Sequence, residues 1–101
     1  MQIQQLIYFM KIADLGSMNK AAEALLITQP NLSRAIMNLE SELNIEIFKR
    51  NNKGVIMTED GKKLYQYSKT ILNQMDLIKG MALREDTPIL SIASYPLISI
   101  S

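Results

Sequence analysis

The sequence predicts a mainly α-helical fold in which three short helices and a β-hairpin form one small domain, followed by a long fourth helix. Three observations carry this expectation. Apolar residues recur at helical spacing in three blocks within residues 1–43. A segment of alternating character, broken by Asn51-Asn52-Lys53-Gly54, comes next. From Leu64 onward, Ser68, Ile71, Met75, Ile78 and Ala82 step by four and three, the spacing of a heptad seam.

In residues 2–15, Ile3, Leu6, Ile7, Phe9, Met10, Ile12 and Ala13 are apolar and cover an arc of roughly 220° on a helix. One core contact needs less, so the first helix is expected to pack on its own domain and on a second surface. Gly16 ends it. Ser17 stands where an N-cap belongs, and Met18, Ala21, Ala22 and Leu25 follow at helical spacing, giving a second helix of about two turns. The small Ala21 and Ala22 side chains let a neighbouring helix approach closely, as a tight helix-turn-helix crossing requires. Thr28 caps a third helix that begins at about residue 29, with Pro30 in the first turn, where a missing N–H does no harm. Leu32, Ile36, Leu39 and Leu43 form its buried stripe. The opposite face holds Pro30, Arg34, Met37 and Ser41, flanked by Asn31, Ser33 and Asn38.

Ile45, Ile47 and Lys49 alternate with Glu46, Phe48 and Arg50, and Val55-Ile56-Met57 follows the break, which predicts a short hairpin whose turn carries Arg50, Lys53 and Gly54. Thr58 caps the fourth helix, and Glu59 and Asp60 suit the positive end of its dipole. A helix over 59–84 would be roughly 39 Å long, more than a three-helix core can cover. A second copy of the chain is the simplest partner, with Leu64, Ile71, Met75 and Ile78 at the dimerisation seam and the first helix adding to the same interface. The expected organisation is therefore a compact domain over 1–58, a linker and dimerisation helix over 59–86, and a terminal segment over 87–101. That segment has no charged residue and strong β character. It is read as the first strand of a domain that the chain does not include.

Composition narrows the function. A chain of 101 residues supports one core and not two. The absence of both Cys and His excludes thiol nucleophiles, Cys/His metal sites, disulfides and imidazole acid–base chemistry. The closest acidic pair, Glu59 and Asp60, are helix neighbours that do not face one another, so no enzyme and no cofactor is expected. No stretch approaches the roughly 18 apolar residues of a membrane span, and residues 1–15 do not read as an export signal. A cytoplasmic protein without a membrane partner is the expectation. The formal charge of +1 gives no global field toward an anion, so any such case rests on local placement.

Two placements matter. From Thr28 to Leu39 the only charge is Arg34, so the leading half of the third helix offers hydrogen-bonding groups and one cation without acids to repel phosphate. Residues 47–63 hold five basic residues against two acidic ones, a local balance of +3. A close-packing short helix, a tight turn, a capped helix with a polar outer face and a basic hairpin make up a winged helix-turn-helix, whose second helix lies in the DNA major groove. Gln29, Asn31 and Arg34 have the chemistry to read base edges. Ser17, Ser33, Arg50 and Lys53 suit phosphate oxygens. Lys20, Thr28, Pro30 and Asn38 complete the expected DNA-binding set.

The segments Ser17-Met-Asn-Lys-Ala21-Ala22, Thr28-Gln-Pro-Asn-Leu-Ser33-Arg34, Leu39-Glu40, Leu43, Phe48-Lys-Arg50 and Thr58-Glu-Asp-Gly61 resemble the N-terminal domain of LysR-type transcriptional regulators. The resemblance covers residues 2–86, and Leu90-Ser-Ile92 looks like the opening strand of that family's effector-binding domain. It implies a DNA-binding domain, a linker helix that makes the homodimer, and recognition of interrupted, partly palindromic promoter sites. It also implies that Thr28, Gln29, Pro30, Ser33 and Arg34 lie at the groove, with Arg50 and Lys53 on the wing. Lys53 departs from the second Arg common in that wing pattern and loses the bidentate fork. A higher oligomer would belong to the full-length protein, and a small-molecule effector would bind only through the missing C-terminal domain.

Each feature has a plainer reading. A polar helix face is commonly only solvated surface, a basic hairpin only a turn, and an alanine pair only a good helix former. The chief alternative is a dimeric helical adaptor whose third helix binds protein; it would account for the near-zero charge and for Met37 on the outer face. It leaves unexplained why acids avoid residues 28–39 while basic residues gather at the hairpin.

Overall fold

The computed structural model describes residues 1–84. In order, these form α1 (Ile3–Leu15), α2 (Met18–Leu25), α3 (Gln29–Leu43), β1 (Phe48–Asn51), β2 (Gly54–Met57) and α4 (Glu59–Arg84). The chain divides into two units, Met1–Thr70 and the part that begins at Ile71. The first runs past the boundary expected at residue 58, because Leu64 and Tyr65 pack on the core and Ser68 is fully buried. The strand expected over 87–101, and the last two residues of the expected linker, lie outside the described residues.

The caps follow from the residues at the helix ends. Gln2 and Gln5 form a capping box at the start of α1, and Gly16 closes it in the left-handed conformation at φ 67°. Ser17 Oγ accepts from the Lys20 backbone N–H at 3.2 Å, and Thr28 Oγ1 accepts from that of Asn31 at 3.3 Å. The two remaining ends use side-chain-bearing residues in the left-handed region: Leu26 at φ 60° closes α2 and Asn44 at φ 56° closes α3. Thr58 Oγ1 accepts from the Gly61 N–H at 3.0 Å, and Glu59 and Asp60 occupy the first turn of α4.

The core of the first unit gathers Leu6, Phe9 and Ile12 of α1, Met18, Ala21 and Ala22 of α2, Leu32, Ile36 and Leu39 of α3, and Ile47 and Phe48 at the entry to the hairpin. Burial of the larger of these side chains contributes about 1.5–3 kcal/mol each. Phe9 is the hub: its ring centroid lies 5.4 Å from that of Phe48 and 6.3 Å, edge-on, from that of Tyr65. One aromatic side chain thus ties α1 to the hairpin and to the start of α4. The Tyr65 hydroxyl donates to Asp14 Oδ1 at 2.6 Å and fastens the same two helices at the surface.

The hairpin is antiparallel, with Phe48 opposite Met57, Lys49 opposite Ile56, Arg50 opposite Val55 and Asn51 opposite Gly54. This corrects the expected turn. Arg50 lies within β1 and Gly54 opens β2, so only Asn52 and Lys53 connect the strands. The simple alternation fails too: Ile47 and Phe48 are both buried, because the strand starts only at Phe48 and Ile47 still belongs to the approach from α3. Val55 N–H donates to the Gly16 carbonyl at 3.3 Å, which seats the hairpin on the corner between α1 and α2. A Cβ at Gly54 would lie 2.3 Å from that carbonyl oxygen, so the close approach requires glycine.

In the second unit the described residues are the remainder of α4. There Leu77, Ile78 and Met81 are exposed, and Ile78 keeps 64% of its surface open. Met75 is half-buried.

Candidate nucleic-acid interface

The interface builds up from two capped helix ends. Ser17 and Thr28 each spend an oxygen lone pair on the first turn of their own helix, and each hydroxyl proton remains free to donate to a phosphate oxygen. The first-turn N–H groups and the positive end of the dipole favour an anion at the same place. The stripe Leu32, Ile36 and Leu39 holds α3 on the core. That anchoring turns Pro30, Asn31, Arg34, Met37, Asn38 and Ser41 outward, and all six are exposed. Gln29 and Ser33 are half-buried at the edges of this face.

Arg34 Nη1 donates to Asn31 Oδ1 at 2.9 Å, one turn back along α3. The bond steers the guanidinium toward the leading end of the helix and leaves the rest of its donor fork open. Among the described residues Arg34 makes no ion pair. Glu40, the first acid after it, is half-buried, its Oε2 accepts from the Ile47 N–H at 2.8 Å, and it lines the same cleft as Ser33, Met37 and Arg50.

Ser33, Met37, Glu40 and Arg50 line one cleft together with Met18 and Val55. The outward face of α3 and the basic strand β1 therefore share an edge. Lys49, Arg50 and Lys53 are exposed, and within the basic stretch of residues 47–63 only Lys62 makes an ion pair among the described residues, with Glu59 at 3.3 Å. Lys20, Asn38 and Lys53 also present exposed side chains; among the described residues, those side chains make no hydrogen bond to the other expected residues, and Lys20 meets Ser17 only through its backbone N–H. Asn51 Oδ1 accepts from the Lys53 N–H at 2.9 Å and shapes the tip.

Three contributors escaped the sequence reading. Lys49 stands exposed opposite Ile56, and a strand start at Phe48 would have revealed it. Asn51 shapes the turn, a role that its place before a two-residue connection signals. The Gly16 carbonyl that holds the hairpin has no signal in a single sequence, since any residue supplies a carbonyl. The seam residues divide as well. Leu64 is half-buried against its own core, whereas Ile71 and Ile78 are exposed.

A capped helix pair at a tight turn, with a two-stranded hairpin seated against it, defines a winged helix-turn-helix. The sequence model for bacterial regulatory helix-turn-helix proteins of the lysR family matches residues 3–62. The chain belongs to this family of transcriptional regulators. It is 45% identical over 76 residues to the nitrogen assimilation regulatory protein nac of Klebsiella aerogenes, a match over 75% of this chain and 25% of that protein. It is 39% identical over 84 residues to the transcriptional regulator BenM of Acinetobacter baylyi, over 83% and 28% of the two. A crystal structure of the BenM DBD with catB site 1 DNA superposes with a TM-score of 0.79 at 39% identity, covering 83% of this chain and 90% of that one. A CbnR DBD–DNA complex gives 0.78 at 26% identity, over 86% and 100%. The chain spans about a quarter of the length of these curated relatives.

Proposed function

We propose that the chain binds double-stranded promoter DNA as a homodimer, with α3 in the major groove and the hairpin on the adjacent backbone or minor groove. The observation that carries this is the exposed face of α3, where Arg34 is the single charge as far as Leu39 and the nearest acid, Glu40, is held by a backbone N–H. The DNA complexes of similar domains support it. In this reading Gln29, Asn31 and Arg34 address base edges, and Ser17, Lys20, Ser33, Arg50 and Lys53 address phosphates. Thr28, Pro30 and Asn38 line the approach. Ile71, Met75 and Ile78, with Leu64 at the domain edge, join the two copies. No observation favours the protein-binding adaptor instead.

The same reading makes the chain the DNA-binding part of a cytoplasmic regulator, with no enzymatic step, cofactor or membrane partner. Among the described residues no helix is long and apolar enough to cross a membrane, and no group of three or more acidic residues could hold a metal ion. Effector binding and any higher oligomer belong to the longer regulator. Selection from a random duplex library, then titration of the selected duplex at two salt concentrations, tests the reading. Retained duplexes whose log K falls with log salt, by about 0.9 per neutralised phosphate, support it. The absence of salt-sensitive retention contradicts it.

A further inference from the structure

The proposed contacts leave Met37 and Ser41 unused on the outward face of α3, and of the two only Met37 is apolar. It keeps 63% of its surface exposed. On the helix it lies about 60° from Arg34 and about 40° from Ser33, and about 4.5 Å farther along the axis than Arg34. The Asn31 bond draws the Arg34 guanidinium toward the opposite end of α3, so the cation does not cover Met37. The cleft that Met37 shares with Ser33, Glu40 and Arg50 places a hydroxyl, a carboxylate and a cation beside it. A base edge presented there would meet polar groups on one side and a thioether on the other.

We infer that Met37 is a specificity-determining residue that packs on the 5-methyl group of a thymine, one or two base pairs from the position addressed by Arg34. The inference rests on the proposed DNA-binding function and deepens it. In the major groove only thymine offers a methyl group, while cytosine presents an amino donor and guanine two acceptors there. A thioether can satisfy none of these well, being at best a weak acceptor. Its unbranched, polarisable chain does fit a methyl group closely. Met37 therefore accepts a T·A pair and disfavours G·C in either orientation.

The test compares duplexes selected by the 101-residue chain and by its Met37→Ala variant. Each thymine of the selected site is then replaced in turn by deoxyuridine, which removes the methyl and nothing else. The expected result is one thymine per half-site whose replacement weakens the unmodified chain about three- to fivefold, the worth of one buried methyl. The variant should show no loss at that position and a relaxed base preference there. Met37 is exposed and alanine favours helix, so an unchanged thermal midpoint confirms that the variant is folded. Retained duplexes with no deoxyuridine-sensitive thymine, or with one equally sensitive in the variant, overturn the assignment alone. No retained duplex for the unmodified chain overturns it together with the function on which it rests.

Discussion

Arg34 and Leu26 show how single side chains depart from what local preference would choose. Arg34 stands exposed with one donor committed to Asn31 and the rest free, an arrangement that suits bidentate contact with a guanine edge. Arg34→Ala should cost about 1–3 kcal/mol on the selected duplex and relax preference at one base position, measured by titration against single-base variants. Equal losses on selected and random DNA would make it a phosphate clamp instead. Leu26 holds a left-handed conformation with 91% of its surface exposed. That conformation costs a side chain roughly 1–2 kcal/mol, which Asn tolerates better, as Asn44 does at the end of α3. Leu26→Asn should accordingly raise the thermal midpoint by a few degrees in a melting experiment, and an unchanged or lower midpoint would show that the leucine makes a compensating contact. Arg34 was legible in the sequence because its isolation among uncharged residues is a linear pattern. The strain at Leu26 was not, because nothing in Ala24-Leu25-Leu26-Ile27 distinguishes a left-handed residue from one more turn of helix.

The elements meet at two backbone approaches that only glycine permits. At Gly61, in the first turn of α4, a Cβ would lie 2.2 Å from the Ile47 carbonyl oxygen and 3.3 Å from the Met57 Cβ. Gly61→Ala should therefore destabilise the domain by about 1–3 kcal/mol through overpacking, although alanine would otherwise strengthen the helix by up to about 1 kcal/mol. Denaturant unfolding measures the sign. Tyr65 joins α1 to α4 through Asp14, and its hydroxyl is held above the ordinary phenol range, first by that hydrogen bond, then by partial burial and by the carboxylate charge. The folded state favours the protonated phenol. Its contribution is whole below pH 10, the unperturbed value, and is lost as pH rises through the higher folded value. The stability gap between the native chain and Tyr65→Phe should thus narrow in alkaline solution; a gap constant from pH 8 to 12 would refute the link. The helices were legible because caps and apolar periodicity are local. The hairpin turn was misplaced because its register depends on Gly16 and Ile47, which are distant in sequence from Gly54 and Gly61.

For the whole molecule, the seam on α4 separates by exposure in a way the heptad spacing alone does not show. Leu64 and Ser68 are spent within the first unit, while Ile71 and Ile78 remain open. In the proposed dimer the contact falls to these later residues, and Ile78→Asp should lower the dimer fraction in sedimentation equilibrium while leaving the melting of the first unit unchanged. An unaltered mass would place the interface elsewhere. Methylation interference at guanine N7 on the selected duplex reads major-groove contact base by base. The proposed dimer predicts two clusters of interference, separated by one helical turn of about 10 base pairs or a multiple of it, both weakened in Arg34→Ala. A single cluster, or a duplex held with no N7 interference at all, would contradict the pairing of two α3 helices in successive major grooves.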